Sequence, residues 1–515
     1  MLRPMRRKGA ASVRFGGRAA WVVLVAAGLL AACSVSGSSP AGTATSSAQA
    51  GPSWAVTAAR EPLTTVGGSP VSHDTEVMAL ASQAGRLFAA TDQWEYPGDS
   101  AAGQILVKDA ADHPWRVFEQ TASLRVQALD SFPIPADQGL GAGHSLLVTQ
   151  AVINGRSEIQ WLLDGAGSFA PGDAFVLPST AAAVRSFGAH ESDGVWSVYA
   201  GVEPTGVLRG TWSPTRHTLM FDPAPELTAA PPSSPALKTQ KATGFADCGG
   251  ALYVTINTAL YRRNDGMLPP GTGRWAAVYQ EPPVGAFNSG LRGLTCVTHD
   301  HAPALLVSTE GDGDVYRFDR LPAGQVDGPA PEAGQAVAGL SPVLEFEPRP
   351  GLGQLLTEQG MTVPVTGKGS IGYVIAAYNN FETIGAGGVS RQFFGIEHAY
   401  AGGCPPTRAC GPTALGGAAF DAQAVYAVRT DMGGTPSYVL RALDGPDLTP
   451  AGPVSKPIRS GQAFVAIRTI KPSPFDAGRV YFAGYDANFY PADGTAWVAG
   501  APLAAASPGV TEGRS

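Results

Sequence analysis

Short apolar runs that recur along the chain constrain its fold more than any other feature. Between residues 54 and 505 these runs are four to seven residues long, rich in Val, Leu, Tyr and Phe, and bounded by Gly, Pro, Asp or Asn. Such runs are typical of β-strands joined by tight turns. Gly and Pro make up 108 of the 515 residues, as frequent turns require. No segment of this region has a long helical period, so we predict an all-β fold.

The runs also recur in sets of four. One set reads GFADC, ALYVTIN, ALYRRNDG and RWAAVYQ within residues 243–280, and the next reads LRGLTCV, ALLVSTE, DVYRFDR and PVLEFE. Four-stranded units that repeat every ~40–60 residues predict the blades of a β-propeller, because one blade cannot bury both faces alone. Two stacked β-sandwiches are the alternative fold. The predicted second strands are centred on Phe88, Leu147, Trp196, Tyr253, Leu306, Val374 and Tyr481.

The blade count depends on the interval of 107 residues between Val374 and Tyr481. The runs AVYAVRT and SYVLRALDG in this interval are either the outer strands of an interrupted blade or the start of another blade. We predict seven blades, with eight as the alternative. The last unit lacks an obvious fourth strand, whereas SWAVTAA at residues 53–59 is strand-like. Pairing the two would close the ring and leave no open sheet edge.

The first 33 residues have the three parts of an export signal. A basic segment without acids precedes an apolar run at 19–30, and Leu-Ala-Ala-Cys ends at Cys33. Twelve apolar residues are too few to span ~30 Å of hydrocarbon as a helix, which indicates a cleaved signal. The ending resembles the lipobox of bacterial lipoproteins. This resemblance implies that residues 1–32 are removed, that Cys33 is acylated with fatty acids such as palmitate, and that the protein is anchored outside the cytoplasm, at the cell membrane or outer membrane. An ordinary secretory signal with a chance Cys is the alternative.

The mature chain is predicted to be acidic. Loss of the signal removes six basic residues and no acid, so the formal charge changes from −7 to −13. This balance argues against nucleic-acid binding, which needs clustered Lys and Arg. Residues 33–53 are small and polar and predict a flexible tether. Residues 54–505 are predicted to form the propeller, and residues 506–515 a disordered tail.

The other four cysteines indicate two disulfides, as expected in an oxidising compartment. Cys248 and Cys296 lie at the same place in consecutive units, 48 residues apart, where the first strands of neighbouring blades would be adjacent. We predict that they form a disulfide bond, and that Cys404 and Cys410 close their own loop.

The chain resembles β-propeller lipoproteins of the bacterial surface over nearly all of its mature length. The resemblance is architectural, because there is no WD40 ending, kelch glycine pattern or complete sialidase Asp-box. It therefore implies no enzyme family.

The predicted loops between second and third strands share carboxylates, amides and aromatic residues. Propellers usually bind ligands at the face that bears these loops. Such groups suit saccharides, and oxygen-rich loops suit Ca²⁺, for which Asp312 and Asp314 are the candidate ligands. The alternative is that these residues simply form turns. No cofactor is predicted to be required. The candidate ligand-binding residues are Asp92, Trp94, Glu310, Asn379, Asn380, Asp486 and Asn488.

The stretch 381–420 is predicted to be an insertion, of the kind that often forms a lid or binding loop. Glu397 and His398 within it are candidate catalytic residues, as a general acid–base pair. Adjacent residues of a strand point to opposite faces, however, so a structural His398 is the alternative. His299 and His301 could hold a transition metal only with a third ligand, which the sequence does not show.

The leading functional prediction is a binding or interaction module for a saccharide, peptide or protein ligand at the cell envelope. One alternative is an extracytoplasmic enzyme, a lyase or hydrolase, that uses acids of the channel rim and His398. A structural envelope component is the other alternative. Convergence of the candidate residues in one pocket would favour an enzyme, and their spread around a rim would favour binding.

Overall fold

A computed structural model describes most of the region predicted to form the propeller. The export signal, Cys33, the tether, Cys404 and Cys410 lie outside the described residues. The described residues are 55–61, 63, 74, 76–92, 103–123, 125–164, 166–169, 173–179, 182–228, 241–268, 273–282, 290–358, 371–379, 381–386, 388–400, 419–420, 424–444, 466–485 and 496–507.

After two short strands, the described chain continues as five consecutive four-stranded antiparallel meanders. We number them units 1 to 5; they consist of β3–β6, β7–β10, β11–β14, β15–β18 and β19–β22. The strands are β1 (Ala55–Thr57), β2 (Ala59–Glu61), β3 (Glu76–Gln83), β4 (Arg86–Asp92), β5 (Gln104–Lys108), β6 (Arg116–Gln120), β7 (Leu129–Pro133), β8 (Ser145–Ile153), β9 (Arg156–Leu163), β10 (Ala174–Val176), β11 (Ala183–Ser192), β12 (Val195–Glu203), β13 (Gly206–Ser213), β14 (Thr218–Phe221), β15 (Ala242–Cys248), β16 (Ala251–Ile256), β17 (Ala259–Arg263), β18 (Trp275–Gln280), β19 (Gly290–His299), β20 (Ala302–Gly311), β21 (Val315–Asp319) and β22 (Ser341–Phe346).

The second part of the chain is less regular and contains two helices. Neither helix was predicted from the sequence; the longer one begins with Pro, which is well placed in a first helical turn. No helix of the described residues is long and apolar enough to cross a membrane. The elements are α1 (Pro348–Glu358), β23 (Ile371–Ala376), β24 (Glu382–Ala386), β25 (Val389–Tyr400), β26 (Ala419–Phe420), β27 (Val425–Thr430), β28 (Ser437–Asp444), β29 (Ala466–Pro472), β30 (Arg479–Tyr485), β31 (Trp497–Pro502) and α2 (Leu503–Ala506).

The first strands of successive units pack side by side. β3 contacts β7, β7 contacts β11, β11 contacts β15 and β15 contacts β19, while β29 contacts β3 from the other side. Two stacked sandwiches would not place each first strand between the first strands of two neighbouring units. The structure is therefore all-β with the arrangement of a propeller, and the blade count stays a prediction.

The N-terminal strands complete sheets from the C-terminal part of the chain. β2 pairs antiparallel with β31 and so becomes the fourth strand of a unit whose first three strands are β29, β30 and β31. We call these four strands the closing unit. β1 pairs in parallel with β28. Pairing of an N-terminal strand with the last unit was expected, but the strand that pairs there is β2, which overlaps the predicted run 53–59 only at Ala59, whereas β1 from that run pairs with β28. The pairing of β2 covers an edge that would otherwise be open.

The segment predicted to be an insertion contains strands of a large sheet. β25 spans twelve residues and pairs with β23, β24, β26 and β27. Residues 382–386 and 389–400 are strands that the sequence did not predict, and the insertion itself stays a prediction. Val374, predicted to centre a second strand, lies in β23, between β20 and β25.

The core lies between the units. Second strands such as β16 are buried at every position, and β4 and β30 are buried at all but their first residue. Strands buried on both faces have continuous apolar sequences rather than alternating ones. This is why the sequence shows compact apolar runs without a period of two.

Cys248 and Cys296 form the predicted disulfide. Their Cα atoms are 5.2 Å apart, within the range that a disulfide can span. Cys248 ends β15 and Cys296 lies in β19, so the bond joins the first strands of units 4 and 5. The equal positions of the two cysteines in the repeat correctly predicted this contact.

Candidate functional site

The first strands begin at the edge of the units where the second strands end. We call this the leading edge, and it bears the loops predicted to bind ligands. In four units and in the closing unit, the first strand has a register shift within its first four residues, which is typical of a β-bulge. The shifts lie at Val77/Ala79, Val184/Ser186, Ala242/Gly244, Arg292/Leu294 and Ile467/Thr469.

A buried ionic group occupies the leading edge of unit 1. Arg125 donates from Nε to Oδ2 of Asp92 at 2.5 Å, and its Nη2 lies 3.5 Å from Oε2 of Glu76. Asp92 and Glu76 have no exposed surface. Burial raises the pKa of Asp92 to about 7; Arg125 opposes this shift, and Glu76 and Asp74 add to it.

Arg468 connects the closing unit to unit 1 and to β25. Its guanidinium donates to the carboxylates of Glu76 and Glu397. Tyr485 donates its hydroxyl to Oε1 of Glu397 at 2.7 Å. Burial lowers the pKa of Arg468, but Glu397 and Glu76 outweigh it and hold that pKa well above its usual value. The two carboxylates therefore keep this guanidinium charged.

Tyr378 extends the group toward unit 5. The Arg468 guanidinium lies 3.8 Å from the Tyr378 ring centroid, and that of Arg292 lies 4.6 Å away, within the range of cation–π contacts. Arg292 donates to Oε2 of Glu310 at 2.5 Å, and the Asn379 amide donates to the carbonyl of Met78. We call this set the leading-edge network; its residues are Glu76, Asp92, Arg125, Arg292, Glu310, Tyr378, Asn379, Glu397, Arg468 and Tyr485.

The network brings together four residues that were predicted from the sequence: Asp92, Glu310, Asn379 and Glu397. His398 is buried and stands opposite Val374 in the ladder between β25 and β23. Because neighbouring residues of a strand face opposite sides, His398 points away from the side on which Glu397 joins the network. The two therefore do not form a direct pair. Four further candidates lie outside the described residues: Trp94, Asn380, Asp486 and Asn488.

The predicted calcium ligands lie at the leading edge of unit 5. Asp312 forms an ion pair with Arg349 of α1 at 2.6 Å. Burial, together with the charges of Asp312, Asp314 and Glu310, raises the pKa of Glu281 to about 8. Within the described ranges, no group of three or more His, Cys, Asp or Glu side chains is placed to hold a metal ion.

His299 has a structural partner. Its Nδ1 lies 2.9 Å from Oδ2 of Asp431, which also accepts from Arg429 at 2.9 Å. This places His299 in an ionic group between unit 5 and β27.

The arginines and Tyr378 were missed from the sequence. Arg125, Arg292 and Arg468 are far apart in the chain, and none stands in a recognisable motif. A signal was present, since VRS, LRG and IRT place Arg185, Arg292 and Arg468 near the start of three first strands. An alignment of the repeats on their first strands could have found it.

The sequence matches no family model and no curated protein. Among solved structures, a putative exo-β-1,3-galactanase from Bifidobacterium bifidum is 10% identical, with 54% of this chain and 99% of that chain covered and a TM-score of 0.27. An α-L-arabinofuranosidase from Clostridium thermocellum is 12% identical, with 50% and 96% covered and a TM-score of 0.25. Raptor from Chaetomium thermophilum is 10% identical, with 87% and 29% covered and a TM-score of 0.40. At these TM-scores, the likenesses support no argument about function.

Proposed function

We propose that this protein is an exported, lipid-anchored propeller of seven blades that binds a ligand or partner at the leading edge of its units. The observation that supports this most directly is the state of the candidate carboxylates. Asp92, Glu310 and Glu397 are buried, and each accepts hydrogen bonds from an arginine. They therefore act as a rigid base for the leading-edge loops, and binding sites are commonly built from loops on such a scaffold.

The same observation disfavours Glu397 as a general acid or base. A catalytic carboxyl must come within hydrogen-bonding reach of the substrate. Glu397 instead accepts from both Arg468 and Tyr485, and only 5% of its surface is exposed. Its contacts are those of a structural ion pair.

A hydrolase is the second candidate function, and one observation favours it. Burial raises the pKa of Asp92 to about 7, and Asp92 stands opposite Glu76 in the ladder between β3 and β4. A carboxyl whose pKa is raised in this way can act as a general acid near neutral pH. Two of the solved structures named above are described as glycosidases, but their TM-scores of 0.27 and 0.25 lend this candidate no weight.

Binding and turnover can be separated with one glycan and peptide panel. Thermal shift of the purified full chain measures binding, because a ligand at a hundredfold excess over Kd adds about 2.7 kcal/mol to the free energy of unfolding. Product analysis on the same panel measures hydrolysis. Binding without product supports the proposal, whereas neither binding nor product across the panel contradicts it.

Asp92→Asn and Asp112→Asn form a matched pair for the second candidate. Asp112 is exposed, in the turn after β5. Turnover that Asp92→Asn abolishes and Asp112→Asn preserves would replace the binding module with a hydrolase.

The lipid anchor has an independent test. Cys33→Ser should abolish fatty-acid labelling and release the protein from the membrane fraction. Membrane retention of Cys33→Ser equal to that of the wild type would refute anchoring through this residue.

A further inference from the structure

We propose that Lys241, between Arg185 and Arg292, forms a binding site for an oxyanion group of the ligand: a carboxylate, sulfate or phosphate. This inference rests on the proposed binding function, and it specifies the chemistry that the leading edge of units 3 to 5 recognises.

Lys241 directly precedes β15 and is held by the neighbouring strand. Its backbone N–H donates to Oδ1 of Asn257 at 3.0 Å, and its carbonyl accepts from the Asn257 N–H at 3.0 Å. Asn257 is almost fully buried. The backbone of Lys241 is therefore fixed at the leading edge, while its side chain is only half-buried and reaches solvent.

Two hydrogen bonds from side chains to backbone carbonyls join the first strands of units 3, 4 and 5 near their first residues. Ser186 donates to the carbonyl of Ala242 at 2.8 Å, and Thr243 donates to the carbonyl of Leu291 at 2.8 Å. Each bond lies within the first few residues of its strands. The basic residues at these three strand starts therefore lie beside one another.

Lys241 differs from its two arginine neighbours in its ion pairing. Arg185 donates to Glu203 at 2.5 Å, and Arg292 donates to Glu310 at 2.5 Å. None of the ion pairs found among the described residues includes Lys241. Among the described residues, Lys241 thus lies beside two paired arginines without an ion-pair partner of its own.

The environment of Lys241 disfavours its own charge. Burial lowers the pKa of Lys241, and the charges of Arg292 and Arg185 lower it further. A bound oxyanion would supply the missing negative charge and accept charge-assisted hydrogen bonds. The site is local, because the mature chain as a whole is acidic. A short acidic group of a ligand therefore fits better than an extended polyanion, which needs a continuous basic surface.

The experiment titrates the purified full chain with inorganic phosphate, sulfate and acetate, with NaCl adjusted to constant ionic strength. Calorimetry should show saturable binding of at least one oxyanion to the wild type. Lys241→Gln should weaken this binding at least tenfold, and Lys241→Arg should retain it. Arg216→Gln is the matched control, because Arg216 is exposed in the turn between β13 and β14 and its loss changes the net charge equally. Affinity should also fall as the pH rises through the pKa of Lys241.

Equal oxyanion affinity of the wild type and Lys241→Gln, or no saturable binding by the wild type, would overturn the inference. Misfolding of Lys241→Gln would leave the comparison of Lys241→Arg with the wild type and the pH dependence as tests. Different results would contradict this inference and the proposed function. A panel in which neutral glycans bind equally to the wild type and Lys241→Gln refutes the oxyanion site alone. If oxyanions bind and this binding depends on Lys241, but no glycan or peptide of the panel binds, only the proposed function is contradicted.

Discussion

Replacing Arg468 with Met should cost this protein a large part of its stability. Arg468 donates to both Glu76 and Glu397, and these residues are 0% and 5% exposed. Removing one side of a buried ion pair typically costs about 3–5 kcal/mol, because the remaining charge stays buried without its partner. Arg125 remains 3.5 Å from Glu76 and Tyr485 still donates to Glu397, so we expect about 3 kcal/mol.

The assay is denaturant unfolding monitored by tryptophan fluorescence. It gives the free energy of unfolding and its slope against denaturant concentration, and both are compared between the proteins. Arg216→Met is the matched control, since a substitution at an exposed position usually changes stability by no more than about 0.5 kcal/mol. The double variant Glu397→Gln/Arg468→Met should lose less unfolding free energy than the sum of the losses of the two single variants, because both changes act on one ion pair.

The pH dependence gives this prediction a second test. In Arg468→Met, the carboxylates of Glu76 and Glu397 would stay buried without this guanidinium, and burial favours the neutral form of a carboxyl. Protonation then stabilises the variant, so its deficit relative to the wild type should shrink as the pH falls. A loss below about 1 kcal/mol, or a deficit that grows on acidification, would refute the assignment of Arg468 as a buried counter-ion.

Three further predictions follow from contacts elsewhere in the structure. Although burial lowers it, hydrogen bonds to Asp247 and Asp265 raise the pKa of His190 from 6.5 to about 9. The unfolding free energy of the wild type should therefore exceed that of His190→Gln at pH 6, and the difference should vanish as the pH rises through 9; a pH-independent difference would contradict this. Replacing Cys248 and Cys296 with Ser should cost about 4 kcal/mol for a loop of 48 residues, and a reductant should then lower the melting temperature of the wild type more than that of the variant, which keeps only the predicted Cys404–Cys410 bond. Deleting β1 and β2 should expose the edge of β31 and cause association detectable by light scattering, whereas a monomer of unchanged stability would show that closure by β2 is dispensable.

Local features of the sequence predicted the repeating part of the fold well. The strands of units 1 to 5 coincide with apolar runs because strand length, turn residues and burial are set within a few neighbouring positions. The Cys248–Cys296 bond was predictable because the repeat itself places equivalent positions in contact. After Phe346 the same reasoning was less complete: α1, β24 and β25 were not predicted, whereas the predicted runs AVYAVRT and SYVLRALDG coincide with β27 and β28.

The candidate site was predictable only in part. Asp92, Glu310 and Asn379 were recognisable because they are polar residues at the ends of apolar strands, and Glu397 because it stands next to His398. Their partners were not, because Arg125, Arg292, Tyr378 and Arg468 come from four distant segments. Only the closed ring brings these segments together.

The sequence by itself determined the strands, the turns between them and the edge at which polar residues collect, since each depends on neighbours along the chain. The tertiary structure decided which charges meet, which carboxylates are neutralised and which basic residues lie beside Lys241. The physical reason is the distance dependence of electrostatics. An ion pair or a shifted pKa depends on groups a few ångströms away in space, and no local pattern records whether those groups lie tens or hundreds of residues away in the chain.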